Sequence, residues 1–175
     1  MTTLTFPELR QTFEYDCGAN ALQSVFAYYG IDIREEILLK KLKTTKKNGT
    51  KIDNMESAAT DYGFKVDIKE MNVEILKDYI KKKIPVIVLL QAWSNKKVNY
   101  KKNTENGHYV VAIGYDKNNF YFEDPYSVLR TYLSFNELSD RWHDKQKKGN
   151  IVKHIGIAIH GKRPNYNPKK AIIMP

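Results

Sequence analysis

The stretch Asp16-Cys17-Gly18-Ala19-Asn20-Ala21-Leu22-Gln23-Ser24-Val25-Phe26-Ala27-Tyr28-Tyr29-Gly30 reads as one helix with both ends marked. Ala21, Leu22, Val25, Phe26 and Tyr29 recur at the spacing of one helical face. Asp16 is a residue type that caps a helix N-terminus, and Gly30 suits the left-handed residue that follows a helix. The helix therefore opens on Cys17, the only cysteine of the chain.

Two further helices are expected downstream. Residues 34–42 carry an Ile37, Leu38 and Leu42 stripe, and residues 54–62 stop at Gly63. After Gly63 the pattern changes. Residues 64–68 alternate as a strand does, and residues 73–82 form an amphipathic helix with Ile75, Leu76, Tyr79 and Ile80 inward. The β-branched run over 84–90 reads as a buried central strand. A polar loop over 94–107 leads into strands over 109–115 and 120–122, separated by Asp-Lys-Asn-Asn, a hairpin signal. Ser134 is expected to cap a helix over 135–142, with Trp142 packed and His143 at the surface. Residues 151–159 read as one last strand. Helices first and a mostly antiparallel sheet afterwards define an α+β fold. The 175 residues are read as a single domain, 1–175, in which 161–175 form an irregular basic tail with three of the six prolines.

Composition narrows the function classes. Hydrophobic residues make up 42% and charged residues 28%, ordinary for a globular protein rather than a disordered tail, collagen-like repeat or coiled coil. The apolar run Val86 to Leu90 is too short to span a bilayer, and the first ten residues lack a signal-peptide pattern. A single cysteine forms no internal disulfide, so a reducing cytoplasm is the expected location. Lys plus Arg is 29 against 20 acids, giving +9, but only five of the 29 are arginine. Arginine carries most bidentate phosphate and base readout, so the lysine pairs are expected to be solvated faces and nucleic acid is not the expected partner.

Chemistry concentrates around Cys17. The positive end of a helix favours a thiolate, which needs a proton acceptor and donor, most often His, and donors aimed at an oxyanion. Gln11 lies six residues upstream, far enough for its amide to fold back beside the helix start and form an oxyanion hole with the Cys17 N–H. Gly18 is expected to let substrate approach the helix end without a Cβ clash. His108 opens a strand after the flexible loop, and Asp124 ends its hairpin partner, so both fall at one end of the hairpin. The register is open from sequence. If they share a face, Asp124 can hold the imidazole tautomer. Asp116 competes for that role but sits beside the turn, which favours a turn role. Residues 12–15 and 93–100 flank the two halves and are candidates for lining the cleft. His143, His154 and His160 lack metal-ligand spacing, so no metal or cofactor is expected.

Gln11-x5-Cys17-Gly18, Gly107-His108-Tyr109-Val110-Val111 and Asp124-Pro125 together resemble the double-glycine-leader, bacteriocin-processing peptidases. Those are papain-like cysteine peptidases, usually found at the N-terminus of a peptide-exporting ABC transporter. Asp16 before the cysteine and Tyr29-Gly30 after the first helix also fit. The resemblance implies a papain-like cysteine peptidase fold. It makes Cys17 the nucleophile, His108 the general base and acid, Asp124 the orienting group and Gln11 the oxyanion donor. The implied substrate is a peptide or protein cut at a small-residue, Gly-Gly-like site. Neither membrane spans nor a nucleotide-binding Gly-rich loop follow here, which leaves that substrate open. The alternatives are a transamidase or isopeptidase of the same fold and a non-catalytic peptide-binding module.

Overall fold

A computed structural model describes residues 1–145 and 149–174. The first helix, α1, spans Cys17–Tyr28 and ends as expected. Tyr29 closes it, and Gly30 takes φ +82°, a conformation that costs a residue with a Cβ but not glycine. The helices α2 (Glu35–Leu42) and α3 (Ile52–Asp61) follow. Leu38 and Leu42 face the core, but Ile37 is 51% exposed and drops out of the expected stripe.

Beyond β1 (Thr2–Thr3), the strands are β2 (Lys65–Glu70), β3 (Val86–Gln91), β4 (Gly107–Tyr115), β5 (Asn119–Glu123) and β6 (Thr131–Ser134). They are joined by β7 (His143–Lys145), β8 (Ile151–Lys153) and β9 (Ile155–His160). The main sheet runs β2-β9-β3-β4-β5-β6, every pairing antiparallel, with β1 added to the end of β4. The apolar run of β3 is buried along its whole length between β9 and β4. The expected last strand is split. His154 takes φ +55° and divides it, so β8 pairs with β7 in a separate ribbon while β9 enters the main sheet.

The helix α4 (Val73–Lys81) buries Leu76 and Ile80, with Ile75 and Tyr79 half-buried. Asn72 caps it, its side chain accepting the Ile75 N–H. The last helix, α5 (Phe135–Arg141), begins with a capping box in which Ser134 and Glu137 bond reciprocally. It ends one residue early. Trp142 is buried, its indole N–H on the Ile155 carbonyl at 2.9 Å, and His143 is buried rather than at the surface because it opens β7 against the sheet.

One apolar core runs between α1 and the sheet: Leu22, Val25 and Phe26 meet Val88, Val111 and Ile157 in a single cluster. Residues 161–174 contain no helix or strand, though the Asn165 and Tyr166 amides both donate to the Tyr28 carbonyl. The pairs Lys46-Lys47, Lys81 to Lys83, Lys96-Lys97, Lys101-Lys102 and Lys169-Lys170 are exposed. Lys147-Lys148 and Pro175 lie outside the described residues.

Candidate active site

Three chain segments converge where α1 begins. Cys17 is the first residue of α1 and is partly exposed. His108 is the second residue of β4 and is buried, and Asp124 follows β5 and is buried too. The β4–β5 pairing contains a bulge between Ala112 and Gly114, so the register shifts within the hairpin. At its open end His108 and Asp124 share a face: Nε2 of the ring lies 2.6 Å from Oδ1 of the carboxylate. The other ring nitrogen, Nδ1, is free of the carboxylate, and Cys17 is near enough to help raise the ring's pKa.

Electrostatics follow from this contact. Burial works against a charged imidazole, yet the hydrogen bonds to Asp124 and Cys17 outweigh it and raise His108 to about 9. The ring is therefore a positively charged imidazolium at neutral pH. Burial likewise opposes ionisation of Asp124, but His108 first, then the Tyr126 amide and Trp93, hold its carboxyl below the usual range. The Tyr126 N–H donates to Oδ1 at 3.0 Å, while the Trp93 indole N–H and the Thr131 hydroxyl donate to Oδ2 at 3.1 and 3.2 Å. Trp93 stacks on Tyr126 with centroids 4.7 Å apart and takes φ +58°, a strained backbone for a side chain of this size.

Asp116 has the turn role. Its carboxylate accepts from the Tyr121 hydroxyl and from the Asn118 and Asn119 amides, which hold it well below the usual carboxylate range.

Two expectations at the helix start change. Asp16 occupies the N-cap position, but its side chain caps nothing in α1. Its Oδ2 turns back to accept the Thr12 and Phe13 amides at 3.2 and 3.0 Å. The local loop outcompetes the helix for that carboxylate and leaves the first-turn N–H groups uncapped by it. Gly18 is buried by the protein's own side chains. A Cβ there would lie 2.6 Å from Met55 Cε, 2.7 Å from Thr50 Cβ and 2.9 Å from Tyr109 Cδ2. Glycine is thus required for packing beside the sulfur.

Gln11 reaches the site through its backbone: its N–H donates to the Pro125 carbonyl at 3.0 Å, next to Asp124. Its side-chain amide donates to the Phe13 carbonyl at 2.6 Å within its own loop, and Oε1 is buried without a partner. One amide N–H remains for another acceptor. The N-terminal segment is clasped to the same hairpin. Glu123 accepts the Leu9 N–H at 2.8 Å and pairs with Arg130, whose guanidinium also bonds the Phe6 carbonyl at 2.7 Å.

Two clefts flank the site. One, about 690 Å³, has Trp93, Tyr100, Asp124, Leu129, Tyr132 and Arg141 in its wall, consistent with the expectation for the 93–100 segment. The other, about 410 Å³, lies beside Tyr109 and includes Thr50, Asp53, Leu89, Asp144 and Lys145. Phe13 stacks on Tyr15 at 5.3 Å. His143, His154 and His160 are engaged separately, with the Asn103 carbonyl, the Ser139 carbonyl and Asp67. Among the described residues no helix is long and apolar enough to cross a membrane.

Residues 5–146 match the Peptidase C39 family, most of the chain, and the protein belongs to it. It is a papain-like cysteine peptidase, a hydrolase. Among solved structures it is similar to the peptidase domain of Streptococcus ComA, a bifunctional ABC transporter involved in quorum sensing. That match has 26% identity and a TM-score of 0.65, and covers 91% of this chain and 98% of that one. A double-glycine-motif protease from an AMS/PCAT transporter, solved with a leader peptide, matches at 21% identity and TM-score 0.66 over 90% of this chain and 92% of that one. A putative C39-like peptidase from Bacillus anthracis matches at 17% identity and TM-score 0.68, over 94% and 100%. No curated protein sequence matches the chain.

Proposed function

We propose that this peptidase hydrolyses a peptide bond at a small-residue, Gly-Gly-like site through Cys17, His108, Asp124 and Gln11. The observation that carries the reading is the 2.6 Å contact of His108 Nε2 with Asp124 Oδ1, which leaves Nδ1 free of the carboxylate on a ring that Cys17 also influences. Cys17 sulfur attacks the carbonyl carbon, and the carbonyl π electrons move to oxygen. The Cys17 N–H, unclaimed by Asp16, and the second Gln11 amide N–H receive that oxyanion. As the oxyanion collapses, the C–N bond breaks and His108 Nδ1–H gives its proton to the leaving amine. Water then attacks the thioester while the neutral ring takes a proton from it, and the thiolate departs. Asp124 keeps Nε2–H directed at itself throughout, so Nδ1 remains at the sulfur.

The packing of Thr50, Met55 and Tyr109 against Gly18 narrows the space beside the sulfur and favours small residues around the scissile bond. The leader peptide bound to the AMS/PCAT relative supports a peptide substrate of the same kind. A reducing, cytoplasmic setting suits an uncrosslinked thiol nucleophile.

The experiment is cleavage of a peptide library containing Gly-Gly sites, with Cys17→Ala as control. Product ending at the second glycine, absent with Cys17→Ala, supports the reading. Cleavage elsewhere overturns the site preference, and joining to an added amine in place of hydrolysis favours a transamidase. Alkylation of Cys17 by iodoacetamide at neutral pH is expected to be slowed sharply by His108→Ala; equal rates would count against the pair.

A further inference from the structure

Asp16 is fully buried, and the reaction gives it no step. Its Oδ2 closes the loop that separates Gln11 from Cys17 by accepting the Thr12 and Phe13 amides. Its Oδ1 is buried with no donor, and so is Oε1 of Glu35 in the first turn of α2. The two carboxyl groups lie within hydrogen-bonding reach of each other, and the Thr12 hydroxyl bonds the other Glu35 oxygen. Among the described residues no lysine, arginine or histidine pairs with either acid. The neighbouring Arg34 turns instead to Glu36, at 3.8 Å. Two carboxyl groups in contact at a buried site favour a hydrogen between them, because ionising both there is costly.

We propose that Asp16 is a positioning residue that shares one proton with Glu35, and that this proton fastens the 11–17 loop to α2 so that Gln11 and Cys17 keep their spacing. The role rests on Cys17 being the nucleophile. Burial first, then the Glu35 carboxyl, raise Asp16 to about 6, so the proton stays through mildly acidic solution and leaves towards neutrality. Once the proton is gone, like charges repel at the root of the loop and a negative charge stands one residue from the sulfur. The folded state binds more protons than the unfolded chain between about pH 4 and 6, so stability falls as pH rises through that window.

The chain has one cysteine, so iodoacetamide reports on the nucleophile without any substrate. Alkylation rates would be followed from about pH 5 to 8 in the wild type, Glu35→Gln and Asp16→Asn. The wild type is expected to show a step near pH 6. Glu35→Gln places a permanent N–H donor against Oδ1 and should move the step down by about one pH unit or more. Asp16→Asn should abolish it. In peptide cleavage, Asp16→Ala should lower kcat by about tenfold with little change in KM, and Asp16→Asn should recover most of that loss. The proposal is overturned if the step stays at the same pH in both variants, or if asparagine does no better than alanine. A wild type that cleaves no peptide would defeat the functional reading, while the alkylation step would still decide whether the proton is shared.

Discussion

The indole N–H of Trp93 donates to Asp124 Oδ2 at 3.1 Å, the carboxylate oxygen that His108 does not use. Asp124 is thereby held from both sides, by the His108 ring and by a side chain from the loop after β3. The same indole forms part of the wall of the larger cleft, so a change at Trp93 is expected to reach His108 through Asp124.

Trp93→Phe keeps the stack on Tyr126 and removes only the donor. Thr131 continues to bond Oδ2. The expected result is a loss of about 1 kcal/mol of transition-state stabilisation, close to fivefold in kcat, with the protein still folded. Steady-state kinetics beside a melting curve separates this from general damage.

Asp124→Asn leaves the shape of the site but offers His108 a neutral partner that can hold the wrong tautomer. A fall in kcat of about 100-fold or more is expected. The alkaline limb of the kcat profile, set in the wild type by His108 near 9, should move to lower pH, because the carboxylate that raises the ring is gone. A profile whose alkaline limb does not move would mean that another group titrates.

His108 also ties stability to pH. Its folded value lies above the ordinary 6.5, so its contribution is fully present below about 6.5 and is lost as pH rises through about 9. Urea unfolding at about pH 6, 8 and 9.5 should show the wild type losing more stability than His108→Gln across that interval. The buried tyrosines do not confuse the measurement. Burial pushes Tyr28 up to about 12, and Tyr29 and Tyr109 rise further still.

Gly18→Ala should unfold more easily by roughly 1–3 kcal/mol, since the new methyl meets Met55, Thr50 and Tyr109 at sub-contact distances. Met55 is a flexible side chain and Thr50 is not. Pairing Gly18→Ala with Thr50→Gly, which removes that Cβ, should therefore cost less than the sum of the two single changes in a denaturant titration.

Arg130→Leu would leave Glu123 buried without its cation. Such uncompensated charges cost about 3–5 kcal/mol, and Glu123→Gln in the same chain should restore most of it. Thermal unfolding of the two single variants and the double variant decides the point, and a double variant no better than Arg130→Leu would contradict it.

Much of the architecture is legible because local signals agree with it. Apolar spacing and Gly30 bound α1, the β-branched run gives β3, and Asp-Lys-Asn-Asn gives the β4–β5 hairpin. Strands β6 and β7 escape notice because they are short and only partly buried, with no clean alternation. The split at His154 depends on one residue adopting positive φ to satisfy two different sheets, and no local signal marks it. Around the active site, spacing brings Cys17, His108 and Asp124 into consideration, and the topology puts them together. What spacing cannot give is orientation. The cap rule assigns Asp16 to α1, but the loop amides of Thr12 and Phe13 claim its carboxylate. The spacing likewise lets Gln11 fold back toward the helix start without saying that its amide bonds the Phe13 carbonyl. Trp93 shows no sequence sign of being an Asp124 donor, because that contact depends on a strained loop backbone.

The clasp of Leu9, Phe6 and Arg130 around Glu123 sets the terms for handling this protein at the bench. Met1 stands open to solvent, so a reporter or affinity handle can be joined there. Trimming back to residue 10 would instead strip the β1 seam from β4 and unhitch the lead-in to Gln11, so an N-terminally shortened peptidase would be dull even where its sulfur and imidazole are untouched.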